Sequence, residues 1–245
     1  MKKNLESLIH GSSAYPSTLH DKAKIKVCDP YSLIRFSREW FHITRAFGLN
    51  APRSLETIAR ELLLLPIGSP ETKVVETILQ QASCIAVDDL GQARGKTTTE
   101  RLVHFRLFEK QCGPLIEKFP DFNFYGDPEL ETTKILVSQI SQEFTADILS
   151  VLTHFLIVEV TALEIVNAMY PLYMGCSEIY TSESVIEYIT LHQGIEGEHS
   201  AESLGMIEAW LKIHPEQESM FEEKLKLRIY EWGAFWEETT EMLYP

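Results

Sequence analysis

The chain has 245 residues, 44% of them hydrophobic and 24% charged, with a formal net charge of −14. This is a globular composition with ample apolar material for a packed core, and it excludes a disordered tail or a fibrous repeat. The negative charge argues against a nucleic-acid backbone as partner, because phosphate recognition needs clustered Lys and Arg.

Helical periodicity dominates, and strand-type alternation is nearly absent. The first long segment, "PYSLIRFSREWFHITRAFG", places Pro30 at a helix start and Gly48 at its end. "SPETKVVETILQQASCIAVDDLG" runs from a Ser-Pro-Glu start to Gly91. "TTTERLVHFRLFEKQCG" opens on cap-type threonines and closes at Gly113. The aromatic stretch "DFNFYGDP" reads as a loop, and "DPELETTKILVSQISQE" predicts a helix capped by Asp127 with Pro128 in its first turn. A very apolar helix follows, from about Thr145 to Met169. "SESVIEYITLHQGIEGEHSAESLGMIEAWLKIH" and "EQESMFEEKLKLRIYEWGAFWEETTEML" are the last two helices. No repeat or linker divides the chain, so the prediction is one all-α domain over residues 1–245 with about seven or eight helices.

Cys28, Cys84, Cys112 and Cys176 form no C-x-x-C pair and are too sparse for a disulfide framework. Buried thiols in a reducing, cytoplasmic setting are expected. The N-terminal "MKKNLESLIHGSS" lacks an apolar run of signal length. The most apolar stretch contains His154, Glu159 and Glu164, which makes it a poor membrane span and a better buried helix.

In "LHQGIEGEHSAES", His192, Glu196 and His199 fall within a narrow sector of one helix face, at 100° per residue. Imidazoles and a carboxylate are the ligand types that hold Fe, Mn or Zn. Glu159 is flanked by apolar residues at every helical offset, and an unpaired buried carboxylate costs several kcal/mol, so it should be paired or metal-bound. Glu164 is ambiguous between supporting the site and facing solvent. His154 shares no face with Glu159 and reads as a core histidine. Asp89, before a glycine turn, and His104, near the start of the next helix, are two further candidate ligands, with Glu100 an alternative to Asp89. "GQARGKT" has three residues between its glycines where a phosphate loop needs four. No nucleophile motif is present.

This set resembles the haem-oxygenase-like di-iron oxidases and oxygenases over about Ile85 to Leu204. The resemblance rests on "CIAVDDLG", "HFRLF", "LIVEVTALE" and "LHQGIEGEHSAES". It implies a haem-oxygenase-like helical bundle in which Asp89, His104, Glu159, His192, Glu196 and His199 hold two iron ions, with Glu159, His192 and Glu196 at the centre of the chemistry. Asp89 stands where a longer Glu is usual, and Glu196 where Asp is common. The implied function is O2-dependent oxidation of a small acid or amino-acid-like substrate, by C–C cleavage, N-oxygenation or nitrile formation. The alternatives are fatty-acid oxidative decarboxylation in the same family and a ferritin-like or non-enzymatic metal-binding protein. The ferritin-like version would use Glu39-x-x-His42 with Glu196-x-x-His199. Neither nucleic acid nor membrane is expected as partner, and a homodimer is admissible.

Two secondary expectations remain. Arg35 and Arg38, on a helix rich in aromatics, are candidates to meet a substrate carboxylate, against the plainer reading of surface arginines. Gly194 and Gly197 each cost a helix about 1 kcal/mol relative to Ala. They predict a ligand helix that orders on binding metal; the alternative is that they allow close helix packing.

Overall fold

The computed structural model describes residues 2–91 and 103–245. Among these residues there is no strand. The helices are α1 (Lys2–His10), α2 (Ser17–Ile25), α3 (Pro30–Leu64), α4 (Pro70–Asp89), α5 (His104–Lys118), α6 (Glu131–Glu143), α7 (Ile148–Met174), α8 (Ser182–Ile213) and α9 (Glu218–Leu243). A 3₁₀ turn, Pro215–Gln217, precedes α9. The all-α bundle is as expected. The helices exceed the expected number because α1 and α2, nine residues each, are too short and polar to show a clear period.

Helix starts follow local chemistry. The Asp29 carboxylate accepts the N–H groups of Tyr31 and Ser32, both at 3.0 Å, and Pro30 opens α3. Ser69 Oγ accepts from Thr72 N–H at 3.1 Å, and Asp147 from Ser150 N–H at 2.9 Å. Each such cap contributes about 1 kcal/mol.

The ends were less legible. α3 does not stop at Gly48 but continues through Pro52 to Leu64. Its buried stripe runs on through Ala46, Phe47, Ala51, Ser54 and Ile58, so tertiary burial outweighs the hydrogen bond that Pro52 removes. α5 likewise passes Gly113 and Pro114 to reach Lys118, with Leu115 buried beyond them. The threonines at its expected start, Thr97 to Thr99, lie outside the described residues. α7 starts at Ile148 rather than about Thr145 and extends beyond Met169 to Met174. α6 begins at Glu131 rather than Pro128, and Asp127 does not cap it. Glu238 of α9 accepts the first-turn N–H of Thr132 at 3.4 Å, and Glu39 of α3, fully buried, holds the preceding loop by accepting the N–H groups of Glu129 (2.9 Å) and Leu130 (3.2 Å).

α7 is the axis of the bundle. It packs against α8 most extensively, and also against α1, α2, α3, α6 and α9. It is long and apolar enough to cross a membrane, but 78% of its most apolar window is buried within the protein. α4 and α5 reach the same region by packing on α3 and α8. The middle of α7, the middle of α8, the C-terminal end of α4 and the start of α5 therefore meet.

Candidate metal centre

All six residues expected as ligands are brought together and buried: Asp89 at the end of α4, His104 as the first residue of α5, Glu159 in α7, and His192, Glu196 and His199 on α8. Glu100 lies outside the described residues. Ligand atoms of Glu159, Glu196 and His199 all lie within 4.8 Å of one another. His104 Nδ1 is 2.9 Å from Asp89 Oδ1, and the His104 and His192 rings are 4.7 Å apart between centroids. Helical spacing puts both α8 histidines beside Glu196: His192 Nε2 and His199 Nδ1 each lie 3.9 Å from one of its oxygens.

Hydrogen bonds orient the rings. His192 Nδ1 donates to the Tyr188 carbonyl at 2.7 Å, one helical turn back, which leaves Nε2 as the lone-pair nitrogen toward Glu196. His199 Nε2 donates to Asp88 Oδ2 at 3.0 Å, so Nδ1 faces Glu159 Oε2 at 3.3 Å. Asp88 is a residue the sequence reading missed. Its signal was the acidic pair "DD" at a helix end, of which only the member next to the turn was taken. Tyr188 was also missed, although it precedes His192 by four residues and so shares its face.

The electrostatics are those of a crowded acidic pocket. Burial pushes the His192 pKa down to about 3, and the nearby His104 adds to this, so the ring is neutral. Burial and then the adjacent Glu159 raise the Glu196 carboxyl well above its usual range, which favours its protonated form. Burial opposes charge on His199, but the hydrogen bond and charge of Glu159, followed by Glu196 and Asp88, outweigh it and lift the pKa to about 11.

Protons do not satisfy everything. Asp89 Oδ2, His104 Nε2 and Glu196 Oε2 are buried with no hydrogen-bond partner among the described residues. An unmade hydrogen bond at such an atom costs about 1–3 kcal/mol. Three such atoms, all on expected ligands, in a set of imidazoles and carboxylates, fit a centre for a first-row transition metal.

The site opens on a cavity of about 60 Å³. By the same measure a water needs roughly 10–15 Å³, so there is room for only about four to six water-sized molecules. Away from the ligands the walls are mostly apolar, including Trp40, Phe47, Ile140, Val166 and Trp232.

Other expectations resolve differently. Arg35 and Arg38 do not line this cavity. Arg38 is buried between Glu39 and Glu129 with its guanidinium 4.8 Å from the centre of the Phe122 ring, and Arg35 pairs with Glu129, so both brace the loop before α6. Glu39 and His42, the ferritin-like pair, serve that loop too: His42 Nε2 meets the Gly126 carbonyl at 2.8 Å. Glu164 is partly exposed and lies 4.0 Å from His20. His154 is a core histidine, with Nδ1 3.1 Å from Glu143 and burial lowering its pKa. The four cysteines are free thiols, three buried and Cys84 half-buried.

No protein-family model matches the chain, and no curated protein matches it. Among solved structures it is similar to a CADD-like protein of unknown function from Nostoc punctiforme, with a TM-score of 0.73 and 12% identity over 99% of this chain and 96% of that one. The two chains share the helical fold along nearly their whole lengths.

Proposed function

We propose that this chain is an O2-dependent non-haem di-iron oxidoreductase. The observation that supports this most directly is the convergence of Asp89, His104, Glu159, His192, Glu196 and His199 at one buried cavity, three of their ligand atoms lacking a hydrogen-bond partner among the described residues. Iron bound there would supply the O2 chemistry that side chains alone cannot. The chain's own residues do the rest. Tyr188 and Asp88 fix which nitrogen of His192 and His199 faces the site. Glu196 and His199 favour their protonated forms, whose protons a bound metal would have to displace. The apolar walls exclude bulk water.

In the finer reading the substrate is a small amino-acid-like molecule, such as an aromatic amino acid, oxidised by C–C cleavage, N-oxygenation or nitrile formation. Its admission requires the cavity to widen. Among the described residues no Lys or Arg lines the cavity. The same apolar walls favour a second reading, oxidative decarboxylation of a fatty acid.

Anaerobic Fe(II) titration tests the proposal: binding should saturate at about two ions per chain, as a two-metal site requires. Saturation at one ion, unaffected by Glu159→Ala, would leave a mononuclear site. Mass spectrometry of Fe(II)-loaded protein with amino-acid and fatty-acid pools under O2 separates the two substrate readings.

A further inference from the structure

Three of the four tryptophans of the chain gather between the candidate centre and one stretch of surface. Trp40 of α3 and Trp232 of α9 line the metal-site cavity. Trp236, one turn after Trp232, lines a groove with Ser13, Tyr15, Lys22 and Thr240. The ring centroids are 6.2 Å apart for Trp40 and Trp232, 5.6 Å for Trp40 and Trp236, and 6.2 Å for Trp232 and Trp236. At the inner end, Trp40 Nε1 donates to the Tyr188 hydroxyl at 3.4 Å, and the Tyr188 ring lies 4.1 Å from the ring of His192.

Packing alone accounts poorly for this choice of residues. The indole N–H groups of Trp232 and Trp236 are buried with no acceptor. Each stranded donor costs about 1–3 kcal/mol, a cost that a purely apolar side chain would avoid. What indole has and phenyl lacks is a low oxidation potential. A chain of indoles at near-contact distances passes single electrons by short hops.

We propose that Trp40, Trp232 and Trp236 form a path for single electrons between the metal centre and the surface groove. Tyr188 serves as the bridge to His192 and keeps its phenolic proton. The inference rests on the oxidative reading of the centre given above. When the centre is oxidised by O2 with no substrate present, Trp40 gives it one electron. The resulting indole cation radical is refilled from Trp232 or Trp236. Trp236 is refilled in turn by a small one-electron reductant of the thiol or ascorbate class in the groove. Each hop moves one electron, breaks no covalent bond and moves no proton. In sum, the centre is reduced by one electron and the external reductant is oxidised by one. The path carries oxidising power away from the ligands.

The test is an oxidation map. Fe(II)-loaded protein is exposed to O2 without substrate, and oxygen addition is located by peptide mass spectrometry. Trp210 is the internal control, because it sits apart with its Nε1 bonded to Gln217. Oxidation should be several-fold greater at Trp236 than at Trp210 and should be suppressed by ascorbate. Trp236→Phe should shift damage inward to Trp232, Trp40 and Tyr188, and freeze-quench EPR should show a longer-lived indole radical. Trp236→Tyr keeps an oxidisable ring and should restore modification at position 236. Equal oxidation of Trp210 and Trp236, or a map unchanged by Trp236→Phe, would overturn the path. If iron binds at full stoichiometry and O2 is consumed while the map fails, only the path falls. If iron does not bind, the reading of the centre falls and the path with it.

Discussion

His104 and His42 are both helical histidines, each a candidate ligand in one reading of the site, yet the structure gives them different tasks. His104 Nε2 is buried and unpartnered in the centre, whereas His42 Nε2 is used by the Gly126 carbonyl. His104→Ala should therefore abolish tight Fe(II) binding, and His42→Ala should leave it intact at some loss of stability. Isothermal titration of the two variants decides the matter, and the reverse pattern would favour the ferritin-like arrangement. The protons in the centre give a second prediction. Glu196 and His199 both have raised pKa values, the latter to about 11, and metal must displace their protons. Since protons compete with Fe(II), affinity should rise with pH across the neutral range. Proton release on binding should be visible in a weakly buffered indicator assay, and an affinity independent of pH would contradict this account.

α8 runs unbroken from Ser182 to Ile213 through both glycines between its ligands. Gly194 and Gly197 are exposed, and a Cβ at Gly197 would meet nothing within 4 Å. Close helix packing is therefore not what excludes a side chain at Gly197, which supports the expectation of a ligand helix of low intrinsic stability. Replacing both glycines by Ala should raise stability by about 1 kcal/mol per site in the metal-free protein. It should also tighten Fe(II) binding, because less ordering is left to do. In the parent protein, amides from Tyr188 to Leu204 should exchange quickly without metal and slow on Fe(II) addition. Strong protection of this segment without metal would refute the idea. Turnover in the double variant falls if α8 must move to widen a cavity of about 60 Å³.

The centre ties together four helices, α4, α5, α7 and α8, that are distant in sequence. A ligand that binds only this folded arrangement stabilises the whole molecule: at free metal about 100 times Kd, the gain is ~2.7 kcal/mol. Fe(II) should therefore raise the melting temperature of the protein under anaerobic conditions, and a chelator should reverse the effect. Glu159→Ala should lose this increment, since Glu159 is the sole ligand from α7. Glu39→Ala should behave differently. It leaves the Glu129 and Leu130 amides without their acceptor, while Arg38 keeps its pairing with Glu129, so it should lower stability by about 1–3 kcal/mol per stranded amide while Fe(II) still raises what stability remains.

What the sequence determined by itself was local and periodic. Apolar spacing revealed the long helices. The i, i+4 and i+7 positions of His192, Glu196 and His199 fix their common face in any α-helix. Glu159 among apolar neighbours could only be buried. The tertiary structure decided what depends on partners far along the chain. α3 runs through Gly48 and Pro52 because other helices bury its stripe on both sides of them. The loop before α6 is held by Glu39, some ninety residues earlier, and the first turn of α6 by Glu238 of α9. Asp88 joins the centre because α4 ends against His199 of α8. Arg35 and Arg38 brace a loop because Glu129 lies across from them. Helical periodicity is set by the backbone of each segment and can be read residue by residue. The pairing of a buried charge depends on which segments meet, and that is decided only when the whole core closes.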